Sequence, residues 1–382
     1  MKSKLSDICH YVMGKVDVSE LDNSTYISTE NMLPDKGGVT EAATLPTIAQ
    51  TQIYEQEDVL VSNIRPYFKK IWFANRDGGC SNDVLVFRVN EGVEPDFLYY
   101  VLADDKFFNY SMATSKGTKM PRGDKKALME YEVPDLNIDT QRKVASLLGD
   151  IDEKIKINNE INKNLEQQMD ILYARLFIRN ADPAWTTGTI SDLGDVVGGS
   201  TPSKKVDAYY TDHGIAWITP KDLSRDHSKF LSHGEVDITE LGLSKSSTVI
   251  MPAGTVLFSS RAPIGYIAIA ANELCTNQGF KSVIPHDGIG TAFIYCFLKA
   301  NLQTIESMAS GSTFKEVSGS TMKLVPTVIP DQRTMSQFNE FAMPLLQQQQ
   351  NLEAENRCLA NLRESLLPKL MSGEIDASKL AL

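Results

Sequence analysis

Methyl transfer to an exocyclic amine would need N-P-P-[YFW] or D-P-P-Y, and neither occurs in the 382 residues. G-x-x-x-x-G-K-[ST], the loop whose backbone amides cradle phosphates, is also missing. Asp135, Asp152, Glu153 and Lys154 have the residue types of a nuclease carboxylate set. The last three, however, sit on a long helical stretch far from Asp135, and we read them as its polar face. His213, His227 and His233 lack H-E-x-x-H spacing and are expected to be ordinary surface or turn histidines. Ser259-Ser260-Arg261 has no G-x-S-x-G context and no assigned base. The chemistry that remains belongs to cations. The densest run is SKGTKMPRGDKK, with Lys116, Lys119, Arg122, Lys125 and Lys126. Alone, such a run reads as a solvated loop. A formal net charge of −11 argues weakly against a nucleic-acid partner, although one basic face can coexist with acidic surfaces elsewhere.

Bulk properties set further limits. The length suits two or more domains. No run of about 18 apolar residues occurs, so no membrane span is expected, and MKSKLSDICHYVMGK does not read as a signal peptide. Cys9, Cys80, Cys275, Cys296 and Cys358 are odd in number and scattered, with no C-x-x-C pair. That argues against a disulfide framework or a zinc site and favours a reduced cytoplasmic setting.

The element that organises the chain is Asp139 to Phe177, which holds no proline and one glycine. Leu148, Ile151, Ile155, Asn158, Asn162, Leu165, Met169, Leu172 and Leu176 recur in steps of three and four, the seam of a coiled coil. Continuous helix would run roughly 55 Å at 1.5 Å per residue. Its partner is found through an internal repeat. VLFSS (Val256 to Ser260) answers VLVSN (Val59 to Asn63), and CTNQGF from Cys275 answers CSNDVL from Cys80. FIYCFL from Phe293 answers FLYYVL from Phe97, and SGSTFKEV from Ser310 answers KGTKMPRG from Lys116. VPTVIPDQR from Val325 answers VPDLNIDTQR from Val133. Five blocks in one order at a nearly constant offset mean a duplicated domain, since the period is too long for a solenoid. The second copy should therefore also end in a long helix. Phe338, Phe341, Leu345, Leu352, Leu359, Leu362 and Leu366 supply its seam, with Gln348 and Glu355 interrupting and Pro344 placed to kink or restart it. Two such helices can pair antiparallel with a domain at each end, and Asn158 and Asn162 would set their register. The expected class is α+β: two similar α/β domains separated by two long helices forming an antiparallel coiled coil. The boundaries are 1–138, 139–179 for the central helix, 180–330, and 331–382 for the C-terminal helix and tail.

With this order in view, the chain resembles the specificity subunits of type I restriction–modification systems. The telling stretches in the second copy are WTTGTISDLGDVVGGSTPS (Trp185 to Ser203), YYTDHGIAWITPKDL (Tyr209 to Leu223) and RESLLPKLMSGEI (Arg363 to Ile375). In the first copy they are YISTENM (Tyr26 to Met32), SKGTKMPRG (Ser115 to Gly123) and IDTQRKVASLLGDIDEKI (Ile138 to Ile155). The first copy departs from the pattern at His10 to Lys15, where the second has Gly198 to Ser203. The resemblance implies two target-recognition domains, each reading one half of a split double-stranded DNA target. It implies helices that space them and dock two methyltransferase (modification) subunits, with restriction/translocase subunits joining the complex. It implies no catalysis by this chain: S-adenosylmethionine, ATP and Mg would be bound by partners, and no metal by this chain.

DNA reading needs phosphate contacts for register and base-edge contacts for sequence. The candidates in the first copy are Arg65, Lys69, Lys70, Lys116, Gly117, Thr118, Lys119, Arg122, Lys125 and Lys126, with Gly117 and Gly123 letting backbone approach closely. In the second they are Lys221, Ser260, Arg261, Gly311, Ser312, Thr313 and Lys315. Arg65 and Arg261 suit bidentate contact with guanine or phosphate. Lys221 and Asp222 occupy the places of Glu30 and Asn31, where capping of their own turn is the favoured role. Tyr26, Ile27 and Trp217 are expected in the core. The candidate helix-pairing residues are Leu148, Ile151, Ile155, Leu165, Met169, Leu172, Leu345, Leu352, Leu359, Leu362 and Leu366; Ile157, Ile161 and Ile171 are left over for docking. Two other readings are a fused methyltransferase or endonuclease with an unrecognised catalytic part, and a coiled-coil scaffold that binds only proteins.

Overall fold

Strand residues alternate between two faces, so a strand covered on both sides is mostly apolar. Val59–Ser62, Val84–Val89 and Val256–Ser260 begin with such apolar runs, VLV, VLVF and VLF. The computed structural model describes residues 2–225, 228–311 and 315–379. It divides into two units, Met1–Ile155 with Cys358–Leu382, and Lys156–Arg357, so the division falls inside both long helices, Ile138–Tyr173 and Gln332–Ser372.

In the first unit a four-stranded antiparallel sheet runs in the order Cys9–Tyr11, Val84–Val89, Val59–Ser62, Ile71–Phe73. Val59, Val61, Leu85 and Phe87 face one core with Phe97, Leu98 and Phe107 of the helices Pro95–Ala103 and Asp105–Ala113. Leu60, Val84 and Val86 face a second core with Ile27 and Tyr54. The second sheet orders Lys15–Asp17, Gln50–Tyr54, Gly78–Cys80 and Tyr26–Ile27, the last pair being parallel. Val144 and Leu148 of the first long helix and Leu367 and Leu370 of the second close the first core. Between those helix segments, Asp152 accepts from Arg363 Nη1 at 2.5 Å and from the Tyr100 hydroxyl at 2.8 Å. Tyr100→Phe is expected to cost about 1.5–3 kcal/mol, the worth of a hydrogen bond to a charged acceptor. Urea unfolding of the chain checks this, and an unchanged midpoint would count against it.

The second unit repeats the plan. Its sheet orders Gly194–Gly198, Lys281–Pro285, Val256–Ser260, Ile264–Ala270 and Phe230–Leu231. Trp217–Ile218 pairs in parallel with Cys275–Thr276, as Tyr26–Ile27 does with Gly79 and Cys80. Ile27 faces Cys80 while Ile218 faces Thr276, so the cysteine alignment read from the sequence is one residue out of register. Thr291–Ala300 takes the place of Pro95–Ala103. In each unit a strand near the start pairs with the strand before the long helix: Lys2–Lys4 with Glu132–Pro134, and Thr186–Thr189 with Pro326–Ile329. Phe293, Phe297 and Phe338 pack with Met169, Tyr173 and Phe177 in the main core.

Within this unit the long helices run antiparallel. Asn158 Nδ2 donates to Asn356 Oδ1 at 2.9 Å, and Gln349 Nε2 donates to the Asn162 carbonyl at 3.0 Å, so partners descend as the first helix ascends. Asn158 is fully buried, as a register-setting residue must be. On the first helix Leu148, Ile151, Asn158, Leu165 and Met169 are buried, and Ile155 and Leu172 half-buried. The seam of the second differs. Phe341 is 68% exposed and Leu362 46% exposed, while Leu345, Leu352, Leu359 and Leu366 are half-buried. Phe338, Ala342, Leu346, Gln349, Leu367 and Leu370 are buried instead. Gln349 can occupy the buried face because its amide donates to the Asn162 carbonyl and reaches Glu166. Pro344 lies inside one continuous helix. The first long helix ends in a π-helical turn, Ala174–Arg179.

Candidate nucleic-acid interface

The loop SKGTKMPRG folds as a hairpin pinned to the end of a core strand. Lys116 and Arg122 exchange backbone hydrogen bonds at 2.9 and 3.0 Å, and Gly123 N–H donates to the Asn63 carbonyl at 3.3 Å. The second unit repeats this device. Ser310 and Glu316 exchange bonds at 3.1 and 2.9 Å, and Val317 N–H donates to the Ser260 carbonyl at 3.0 Å. Gly117, at φ +93°, makes the turn. Gly123 serves packing, not ligand approach: a Cβ there would lie 2.9 Å from Asn63 Oδ1 and Ser111 Oγ.

Half of the cations expected in the first copy are already engaged within the chain. Lys116 binds Asp124, and with the Ala127 and Lys126 amides it holds that carboxyl down at about 2. Arg122 lies 3.1 Å from Asp83. Lys69 and Lys36 share Asp105 at 2.7 and 2.9 Å; burial opposes ionisation of Asp105, but the two ammoniums hold its carboxyl below the usual range. Lys70 Nζ donates to the Thr29 carbonyl at 2.6 Å. Arg65, Lys119, Lys125 and Lys126 remain, all exposed and none with a side-chain partner among the described residues. Arg65 adopts φ +51° and its N–H donates to the Pro121 carbonyl, which sets it beside the hairpin. Tyr67 and Phe68 follow, exposed and with ring centroids 4.6 Å apart. Gly117 and Thr118 are exposed on the hairpin.

In the second unit Lys221 pairs with Glu235 at 2.7 Å, and Arg261 with Glu316 at 3.2 Å. Ser260 does not reach the surface. It is fully buried, and its Oγ and N–H both donate to the Gly279 carbonyl because the strand continues through it. Gly311 and Lys315 are exposed, while Ser312 and Thr313 lie outside the described residues, as does His227. Asp222 and Asn31 cap their own turns: Thr219 N–H donates to Asp222 Oδ2 at 2.7 Å, and Ser28 N–H to Asn31 Oδ1 at 2.6 Å. Tyr26, Ile27 and Trp217 are in the core. Sequence reasoning missed an open cleft of about 740 Å3 whose lining includes Lys204, Trp217, Arg261, Asn277 and Gln278. The side chains converge there from separate blocks of the chain; of its lining, sequence reasoning had singled out Lys221 and Arg261 but not Asn277 or Gln278.

Catalytic alternatives find no geometry. Asp152 is committed to Tyr100 and Arg363. His213 and His233 are exposed, and no group of His, Cys, Asp and Glu among the described residues could hold a metal ion. Cys9, Cys80, Cys275 and Cys296 are buried and unpaired, and burial pushes the Cys9 thiol up to about 12.

The family profile described as "Type I restriction modification DNA specificity domain" matches residues 1–167 and 183–353. The chain belongs to that family. It is a non-catalytic specificity subunit, in the α+β class expected. The MjaIX specificity subunit of Methanocaldococcus jannaschii is 45% identical over 148 residues, which are 38% of this chain and 34% of that one. The HindI specificity subunit of Haemophilus influenzae is 23% identical over 457 residues, covering 97% of this chain and 98% of its own. Among solved structures, the S subunit from M. genitalium aligns with a TM-score of 0.62 at 14% identity, covering 97% and 96% of the two chains, and supports the fold alone. Among the described residues, no helix of this specificity subunit is long and apolar enough to cross a membrane.

Proposed function

We propose that the chain is the DNA-reading subunit of a type I restriction–modification complex, and that each recognition domain reads one half of a bipartite duplex target. The observation that carries this is the duplicated hairpin: Lys116–Arg122 and Ser310–Glu316 are pinned to the same strand end in each unit, each with an arginine beside it. The free cations of the first unit are the phosphate contacts, and the arginines face base edges or phosphates. The exposed Ile157, Ile171 and Phe341 on the long helices supply docking surface for two methyltransferase subunits, through which restriction/translocase subunits join. S-adenosylmethionine, ATP and Mg bind those partners in the cytoplasm.

The test uses the chain co-expressed with its methyltransferase partner. Binding to target duplex should weaken steeply with salt. The triple variant Lys119→Ala, Lys125→Ala, Lys126→Ala should reduce the slope of log K against log salt by about 2 to 3, at roughly 0.9 for each phosphate no longer neutralised. An unchanged slope would remove these lysines from the interface. Salt-independent or absent binding by the parent complex would favour the protein-only scaffold.

A further inference from the structure

The cleft of the second unit has a hydrogen-bonding bias that decides what it can read. Asn277 lies on its wall. Its Oδ1 accepts from the Gly279 N–H at 2.8 Å, and a backbone amide can only donate, so the carboxamide is fixed with its NH2 outward. That NH2 has no partner among the described residues. Beside it, Gln278 Oε1 accepts from Thr201 Oγ1, which likewise leaves an NH2 free. Arg261 donates from Nη1 to Glu316, and this carboxylate also faces Lys281 at 3.6 Å. The pairing holds the guanidinium in place and leaves its Nη2 and Nε unused among the described residues.

The acceptors in the same cleft are committed elsewhere. Asp222 Oδ2 takes the Thr219 N–H and hydroxyl, both at 2.7 Å, and its Oδ1 takes the Glu235 N–H at 2.9 Å. Glu235 is held by Lys221 and Arg225 at 2.7 and 2.8 Å. The cleft therefore presents donors from Asn277, Gln278 and Arg261 on two separate loops, with the Lys204 ammonium also in its lining, against walls formed by Tyr210, Trp217 and Pro220.

We infer that this cleft is the base-edge reading site of the second recognition domain, and that Asn277 and Arg261 specify guanine there. In the major groove, guanine shows two adjacent acceptors, N7 and O6, whereas adenine shows one acceptor and one donor and cytosine a donor. A wall whose unpaired groups are donors matches guanine, whereas adenine N6 would have to share carboxylates already bonded within the chain. Phosphate oxygens have the same acceptor chemistry, but a phosphate contact carries no sequence preference. The inference rests on the proposed function and goes beyond it by naming the base and its readers.

The experiment maps methylated sites genome-wide for the complex of the full chain with its methyltransferase subunit. The parent complex should show guanine at a position of one half-site. Arg261→Ala should lower the guanine preference there by roughly tenfold to a hundredfold, the range of one bidentate pair, without changing the other half-site or the spacer. Asn277→Asp keeps the acceptor for Gly279 N–H, and so the turn, but turns the outward donor into an acceptor. With Arg261 still donating, it should move the preference at that half-site from guanine toward adenine, which shows one acceptor and one donor. Variants of Arg65 in the first domain should alter only the opposite half-site and so show which half belongs to which domain. The inference is overturned by either of two results in complexes with parental melting temperature: a methylated set that neither variant changes, or weakening that is uniform across all sequences, the mark of a phosphate contact. A parental half-site with no guanine also overturns it. A parent complex with no two-part target refutes the function itself, and this is seen before any variant is made.

Discussion

Glu166→Ala should cost about 3–5 kcal/mol of folding stability, the usual result of removing one partner from a buried ion pair. Glu166 lies on the first long helix and accepts from Lys229, Lys299 and the Tyr295 hydroxyl, the last at 3.2 Å, with Gln349 Nε2 at 3.4 Å. Lys229 is only 10% exposed at its side chain, so the alanine variant leaves its ammonium without its ion-pair partner and poorly hydrated, held by Gln349 Oε1 at 2.8 Å and the Tyr295 ring. Lys299 fares better, because Asp170 still accepts from it at 2.9 Å. The loss should therefore trace to Lys229, and Glu166→Leu combined with Lys229→Leu should cost less than Glu166→Ala alone. The pH dependence follows from the same site. Burial opposes ionisation of Glu166, but the two lysines outweigh it and hold the carboxyl below its ordinary 4.5. A depressed folded value contributes stability that is complete above the unfolded value and vanishes as pH falls through the folded one. The gap between parent and variant should thus be full at pH 7 and close below about pH 4.5. Denaturant unfolding at several pH values measures it. Equal stability at pH 7 would show that the cluster carries no net weight. The cluster also has a positional consequence. Glu353 of the second long helix accepts the Lys229 and Phe230 amides at 3.0 and 3.1 Å, so both helices grip the edge strand of the recognition sheet.

Inserting seven residues into each long helix should lengthen the unread spacer by about three base pairs, because seven residues add about 10.5 Å of helix against 3.4 Å per base pair. Both half-sites should stay the same. The insertions belong between Asn158 and Asn162 on one helix and between Gln349 and Glu355 on the other, where the polar layers bracket the site and preserve register on each side. Seven residues rather than four or five keep the apolar stripe in phase. The expectation rests on the proposed function, in which the helices set the distance between readers. Methylome sequencing decides it: an unchanged spacer in a folded, active variant would refute the ruler, whereas altered half-sites would mean that the helices also shape the reading faces.

The repeat and the first long helix were legible because they depend on local rules. A three/four recurrence of apolar residues sustained from Leu148 to Leu176 has one low-energy solution. The five matched blocks likewise became matched strands, helices and hairpins. Two kinds of detail escaped. Gln349 looks like a surface residue among four consecutive glutamines, yet it is in the seam, because only the neighbouring helix supplies the Asn162 carbonyl and Glu166 that satisfy it. Ser260, a DNA-binding candidate at the end of VLFSS, is buried in the strand and its hydroxyl donates to the Gly279 carbonyl.

The cations divide in the same way. Sequence determined by itself that the chain is a duplicated domain on long helices, that the methyltransferase and P-loop motifs are missing, and which lysines and arginines were available. Those conclusions follow from residue type, order and period. Only the tertiary structure decided which of the charges are free. Lys116 and Asp124 are 8 positions apart, but Lys69 and Asp105 are 36 apart and Arg261 and Glu316 are 55 apart. The packing of strands and hairpins brings these partners together, as it brings Asp83 to Arg122. A charge acts most strongly at contact distance, and contact between residues far apart in the chain is a property of the fold.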